Sequence, residues 1–396
     1  MQRNIKLYPW FQACRSLLFW QAVWFLYFQN VLSAAEAVML AAIYDIGTLI
    51  LEVPSGYMSD RIGRRITLIA ATLATLTGCV MLGLGSSFYV FALAQVMLGA
   101  GTAFASGTDH ALLYDSLMDD GREADVAWHE ARAWRFTFTG LAISAMIGGL
   151  IAMLGMHLVY LATALAVAAA LFLSTMLREP AHRDDGFTPI AQGKAILERL
   201  RHRGLAWLFA LSVAMYVFSH VPFVFAQPFI NEVLAGIGFA AETPVVSGAI
   251  VASMMLTSVA AAWFALPLAH RIGNSGIFLL ALAMQTGLIA VLAYTVHPAA
   301  LALLLLRMVP DAFARPMILA YVQPRLKSSY RATYLSLQSL IGRLILAATL
   351  FVISFTVPDN SILRQADLQA ILPWYVGAGL ILLIVLAATS RVLKDD

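Results

Sequence analysis

Gly56-Tyr57-Met58-Ser59-Asp60-Arg61-Ile62-Gly63-Arg64-Arg65 stands between two long apolar runs, residues 36–58 and 66–84. A run of about 20 apolar residues crosses the hydrocarbon core of a bilayer. Two such runs leave room between them only for a tight loop. The loop carries three arginines and one aspartate. Its glycines permit a sharp reversal. A short basic loop of this kind marks the cytoplasmic face.

Working outward, the whole chain repeats that character. It has 396 residues, 61% of them hydrophobic and 12% charged. A soluble domain carries roughly 25% charged residues, so this is an integral membrane protein. The net charge of +3 is too small, and its basic residues too confined to loops, for a nucleic-acid partner. Cys14 and Cys79 both lie in apolar runs and read as small packing residues, not a disulfide or metal site. No cofactor is expected. No cleavable signal is expected either, because the first apolar run is long enough to span.

Hydropathy predicts spans at 10–33, 36–58, 66–84, 88–114, 132–154, 156–177, 205–230, 244–268, 276–296, 299–321, 332–356 and 370–392. The fold class is an all-α membrane protein, with twelve transmembrane helices in two pseudo-symmetric six-helix bundles. Basic residues fall almost entirely on one side, with Arg364 alone on the other. That asymmetry puts both termini in the cytoplasm. Residues 178–204 form the one long internal polar segment, read as a cytoplasmic linker with an amphipathic surface helix. It separates bundles at 1–177 and 205–396. Asp60-Arg61-Ile62-Gly63 after the second span matches His270-Arg271-Ile272-Gly273 after the eighth, as a duplicated chain would.

The pattern Gly56-x-x-x-Asp60-Arg61-x-Gly63-Arg64-Arg65, in a chain of twelve spans with a central loop, resembles the major facilitator superfamily of transporters. Glu52-Val53-Pro54-Ser55-Gly56 and Gly107-Thr108-Asp109-His110-Ala111-Leu112-Leu113-Tyr114-Asp115 look like a bacterial branch of it. The resemblance implies alternating access in the bacterial inner membrane, by a monomer moving a small-molecule substrate through the lipid bilayer. It also implies an inner-gate charge cluster of Asp60, Arg61, Arg64 and Asp115, with Glu52 beside it; the plainer reading is that the arginines only fix topology. Drug/proton antiporters of the family carry an arginine in the fourth helix and a Gly-Pro pair in the fifth. Here Gln95 precedes Gly99-Ala100-Gly101, and the run Gly140–Gly149 lacks proline.

Ionisable groups at bilayer depth are functional candidates by default. Arg307, Asp311 and Arg315 are spaced by four on the tenth span, which places them on one helix face. They form either an anion-binding wall with Asp311 as a proton site, or a self-neutralised packing stripe. Asp45, deep in the second span, is a coupling candidate. Asp109 either relays protons or makes a structural bond. Arg343 either completes the positive wall or neutralises an acid. His220, ahead of Pro222 and Pro228, is a proton carrier or a packing residue. Arg15, a turn or so inside the first span, can snorkel and reads as structural. Trp20, Trp24 and Tyr27 share a face at i, i+4 and i+7 and either line the cavity or pack against neighbours.

These readings predict a secondary active transporter of a small organic solute, coupled to protons, with a slight preference for export of an anionic or zwitterionic substrate. The alternative is a multidrug/proton antiporter of lipophilic compounds. No nucleotide loop, nucleophile motif or paired metal-ligand histidines point to an enzyme.

Overall fold

The computed structural model describes residues 1–181, 202–325, 328–357 and 363–393. Among these there are helices and turns but no strand. In lipid, backbone N–H and C=O groups must be satisfied within the segment, which selects helices from apolar runs. The helices are α1 Gln2–Arg15, α2 Trp24–Val31, α3 Ala34–Arg61, α4 Arg64–Leu84, α5 Phe88–Ala105, α6 Thr108–Asp119, α7 Val126–Leu154 and α8 Leu158–Met176. They continue as α9 Arg203–Gly236, α10 Thr243–Tyr294, α11 Ala300–Leu304, α12 Val309–Arg325, α13 Ser328–Ser354 and α14 Gln365–Thr389.

Nine helical stretches among the described residues are long and apolar enough to span a bilayer. The expected first and tenth spans are broken into shorter pieces, and the expected eighth and ninth run on as one helical stretch. That stretch is interrupted only at Gly273, with φ 78 and ψ 164. Gly63, its partner in the repeated motif, has φ 125. Both positions lie in the left-handed region that only glycine enters at low cost. The polar segment proposed as a surface helix lies, over 182–201, outside the described residues.

Each break has a local cause. In the fourth expected span, Ser106 and Gly107 leave helical geometry, with Gly107 at φ 76. In the tenth, the amides of Leu305, Leu306, Arg307 and Val309 each bond three residues back. Pro310 follows, with no N–H to return a bond and a ring that crowds the preceding turn; it is tolerated in the first turn of α12. In the first, the short turn Phe19–Ala22 and a non-helical Val23, with φ -143 and ψ 9, separate α1 from α2. The start of α3 is fixed by a capping box: Ser33 Oγ accepts from the Glu36 amide while the Glu36 carboxylate accepts from the Ser33 amide.

The chain divides into two compact units. One takes the described residues of Met1–Asp184, Ala241–Ala252 and Leu350–Ile362; the other takes those of Asp185–Ala240, Ser253–Thr349 and Leu363–Asp396. In the first unit, Ile5, Tyr8 and Phe11 of α1 pack with Leu68, Leu112, Leu117 and Ala170. Lipid tails are as apolar as leucine, so this core is held by close packing more than by exclusion of water. Small residues permit that packing. A Cβ on Gly99 of α5 would stand 2.8 Å from the Thr48 amide nitrogen of α3, so no larger residue fits without separating the two helices.

Candidate functional site

In the first unit the Asp60–Arg65 hairpin is a charge cluster. Arg64 Nη1 donates to Asp60 at 2.5 Å and to Ser59 Oγ at 2.8 Å, and Arg64 Nε lies 3.4 Å from Asp115 Oδ2 on α6. The structure thus brings Asp60, Arg64 and Asp115 together. Arg61 is exposed and Glu52 half-buried. Sequence reasoning missed Glu179. Its carboxylate accepts from the amides of Arg64 and Arg65, at 2.6 and 2.9 Å, where the orphan N–H groups and dipole of α4 favour an anion. A Cβ on Gly63 would meet that carboxylate at 2.8 Å. Gly63 is therefore required by its backbone angle and by the cap. No local signal in the sequence joins positions 115 residues apart.

Deeper in this unit Asp109 is the second residue of α6 and is nearly buried, its side chain 7% exposed. Its Oδ2 accepts from Arg15 Nη1 at 3.1 Å and from Gln12 Nε2 at 2.9 Å, and its Oδ1 from the His110 amide at 2.8 Å. Gln12 also donates to Tyr8 Oη at 2.9 Å. His110 Nδ1 lies 2.9 Å from the Glu130 carboxylate. Arg15, near the end of α1, pairs with an acid on another helix and remains partly exposed. Gln12 and Arg15 are separated by about one turn of α1 and face α6 together. Asp45, on α3, is buried.

The aromatic stripe of Trp20, Trp24 and Tyr27 does not form as one helical face, because the turn at Phe19–Ala22 and Val23 changes the helix phase. Trp20 stacks on Tyr160. Trp24 packs edge-on to Phe25 and Phe28. Tyr27 is buried and donates to the Leu82 carbonyl at 2.6 Å.

In the second unit the predicted residues gather on one stretch of α9, Tyr216 to Phe223. His220 Nδ1 lies 2.7 Å from the Tyr216 carbonyl, and its ring stacks on Tyr216 at 4.0 Å. The Arg343 guanidinium from α13 sits 5.6 Å from the centre of the Tyr216 ring. That approach depends on Gly342, where a Cβ would stand 2.8 Å from the same ring. Arg307 lies over the Phe223 ring at 5.3 Å, with Nη1 3.4 Å from the Ser219 carbonyl and Nε 3.2 Å from Met254 Sδ. Asp311, the third residue of α12, lies 3.8 Å from Arg315 Nε.

The even spacing of Arg307, Asp311 and Arg315 on one helix face is corrected here. Arg307 precedes the Pro310 break, so the fourfold rule fails between it and Asp311, and its guanidinium turns toward α9. Arg315 keeps the spacing to Asp311 but is 72% exposed, against 14% for Asp311. Tyr216, Ser219 and Phe223 were overlooked. With His220 they recur at i, i+3, i+4 and i+7, a signal present in the sequence. Among the described residues no group of His, Cys, Asp and Glu is arranged to hold a metal.

Comparison with known proteins agrees with this architecture. The nucleoside transporter NupG superposes with a TM-score of 0.76 at 14% identity, over 98% of this chain and 99% of that one; a mutant form of NupG gives 0.79 at 14%, over 98% and 100%. A peptide transporter POT, solved with sulfate, gives 0.72 at 15%, over 98% and 94%. Identities this low show the fold alone. No curated protein matches the sequence. The family model of the Major Facilitator Superfamily matches residues 11–350. A helical chain with an arginine-aspartate hairpin between apolar spans, matched over most of its length by that model, belongs to the Major Facilitator Superfamily, a family of membrane transporters and not of enzymes.

Proposed function

We propose that this chain is a secondary active transporter of a small organic solute, with twelve spans in six-helix bundles at 1–177 and 205–396 joined by the 178–204 segment. On this reading the protein is a monomer in a bacterial inner membrane with both termini cytoplasmic, and it works by alternating access. Protons drive it, and export of an anionic or zwitterionic substrate is favoured. The observation that carries the reading is the gathering of Arg307, Asp311, Arg343 and His220 on one stretch of α9. Arginine forks match carboxylates, while Asp311 and His220 are groups able to take and release protons. The similarity in fold to transporters of nucleosides and of peptides supports a polar organic solute. The Asp60–Arg64–Asp115 cluster serves as the inner gate, and Asp45 and Asp109 are held as secondary coupling candidates.

The test is flux in proteoliposomes across an imposed pH gradient, with nucleosides, dipeptides and aliphatic carboxylates as probes. Gradient-dependent movement of one probe class, lost in Arg307→Leu, supports the reading. Gradient-independent leakage, or no movement of any class by folded protein, overturns it.

A further inference from the structure

The second unit holds a cavity of about 290 Å³ between α9, the later part of α10, and the α11–α12 break. That is the lower end of ligand-pocket sizes, about 300–1,000 Å³. Its walls are apolar, with Phe218, Pro222, Leu288, Val291, Leu303 and Leu306 among them. Two polar side chains interrupt the walls. Gln285 is 1% exposed, and neither its amide nitrogen nor its amide oxygen has a hydrogen-bond partner. Folded proteins rarely keep such a group unsatisfied. Arg307 also lines the cavity, and its neighbours are a thioether, a backbone carbonyl at 3.4 Å and a ring face. None of these carries a negative charge, and Asp311 acts on it only from beyond ion-pair distance.

We infer that this cavity is a binding site for a medium-chain hydroxycarboxylate amphiphile, with its carboxylate on Arg307 and the Gln285 N–H and its hydroxyl donating to the Gln285 oxygen. The polar set asks for that combination. A guanidinium and an amide N–H call for an anionic acceptor, the amide oxygen calls for a donor beside it, and the apolar walls call for an alkyl chain. A simple alkanoate leaves the amide oxygen unpaired, and a cation is repelled. The inference rests on the proposed anion-binding role of Arg307 and names the ligand class of that site; equilibrium binding reads occupancy of the cavity separately from flux, so either reading can fail without the other.

The experiment is equilibrium binding of labelled β-hydroxydecanoate to the purified full chain in nanodiscs, with decanoate and decyltrimethylammonium as comparators. The expected result is saturable binding of β-hydroxydecanoate, about tenfold weaker binding of decanoate, and none of the cation. Gln285→Leu should abolish the preference for the hydroxy acid and raise the apo Tm by removing the unpaired amide. Gly287 also lines the cavity, and a Cβ there meets nothing within 4 Å, so Gly287→Leu should fill the space and remove binding while Tm is kept. Absence of saturable binding to folded protein overturns the inference. So does a hydroxy-acid preference that survives Gln285→Leu, or binding that survives Gly287→Leu.

Discussion

Two broken helices carry the same device to opposite ends. The fourth expected span breaks at Ser106–Gly107 and resumes with Asp109 as its second residue; the tenth breaks before Pro310 and resumes with Asp311 as its third. Each acid stands in a first turn, where the helix dipole favours it. Asp109 is surrounded by donors: Arg15, Gln12 and the His110 amide. At the second break the arginine ahead of the acid, Arg307, has no carboxylate within ion-pair distance among the described residues. A charge enclosed by its own chain stabilises a fold. A charge left among a thioether, a ring and a distant carbonyl leaves room for a guest. The difference is between an intramembrane acid paired within its own unit and an intramembrane arginine with no carboxylate at ion-pair distance among the described residues.

The comparison breaks most readily at Asp109. Asp109→Ala should cost about 3 kcal/mol, since removing one partner of a buried pair leaves the other unpaired; thermal unfolding in detergent measures it. An unchanged Tm would mean that the network is ornamental. Next, the repeated loop glycines separate two sources of strain. Gly63→Ala should cost about 2–3 kcal/mol, from its left-handed backbone together with collision against Glu179. Gly273→Ala meets no atom within 4 Å and should cost only about 1 kcal/mol. Equal losses would remove any special role for the Glu179 cap. Glu179→Ala should cost about 1 kcal/mol, the usual loss at a helix N-terminus, read by the same melt. Smallest in stability is Arg307→Leu, expected within about 1 kcal/mol of the parent because a half-buried charge with no close acid is replaced by packing. Its flux, by contrast, should be lost. A large fall in Tm with flux retained would reverse the contrast and make Arg307 the structural member.

Some of this was legible along the chain. Pro310 and Gly107 are visible breakers, and the Tyr216–Phe223 spacing is visible periodicity. The Asp60–Arg64 pair follows from i, i+4 geometry alone. Other features depended on neighbours far away. The acid that Arg15 meets, Asp109, lies 94 residues away along the chain. Trp20, Trp24 and Tyr27 looked like one stripe because an uninterrupted helix was assumed across Val23.

Composition and hydropathy, by themselves, determined that this is a helical membrane protein, and the Gly56–Arg65 motif determined its family resemblance. Both follow from local rules: apolar length against bilayer thickness, and basic loops on one face. The tertiary structure alone decided that Asp109 is enclosed by Arg15 and Gln12, that Glu179 caps α4, and that Gln285 and Arg307 share a cavity. Each depends on which helices meet, and a buried charge or amide takes its role from the atoms that other segments bring within hydrogen-bonding reach.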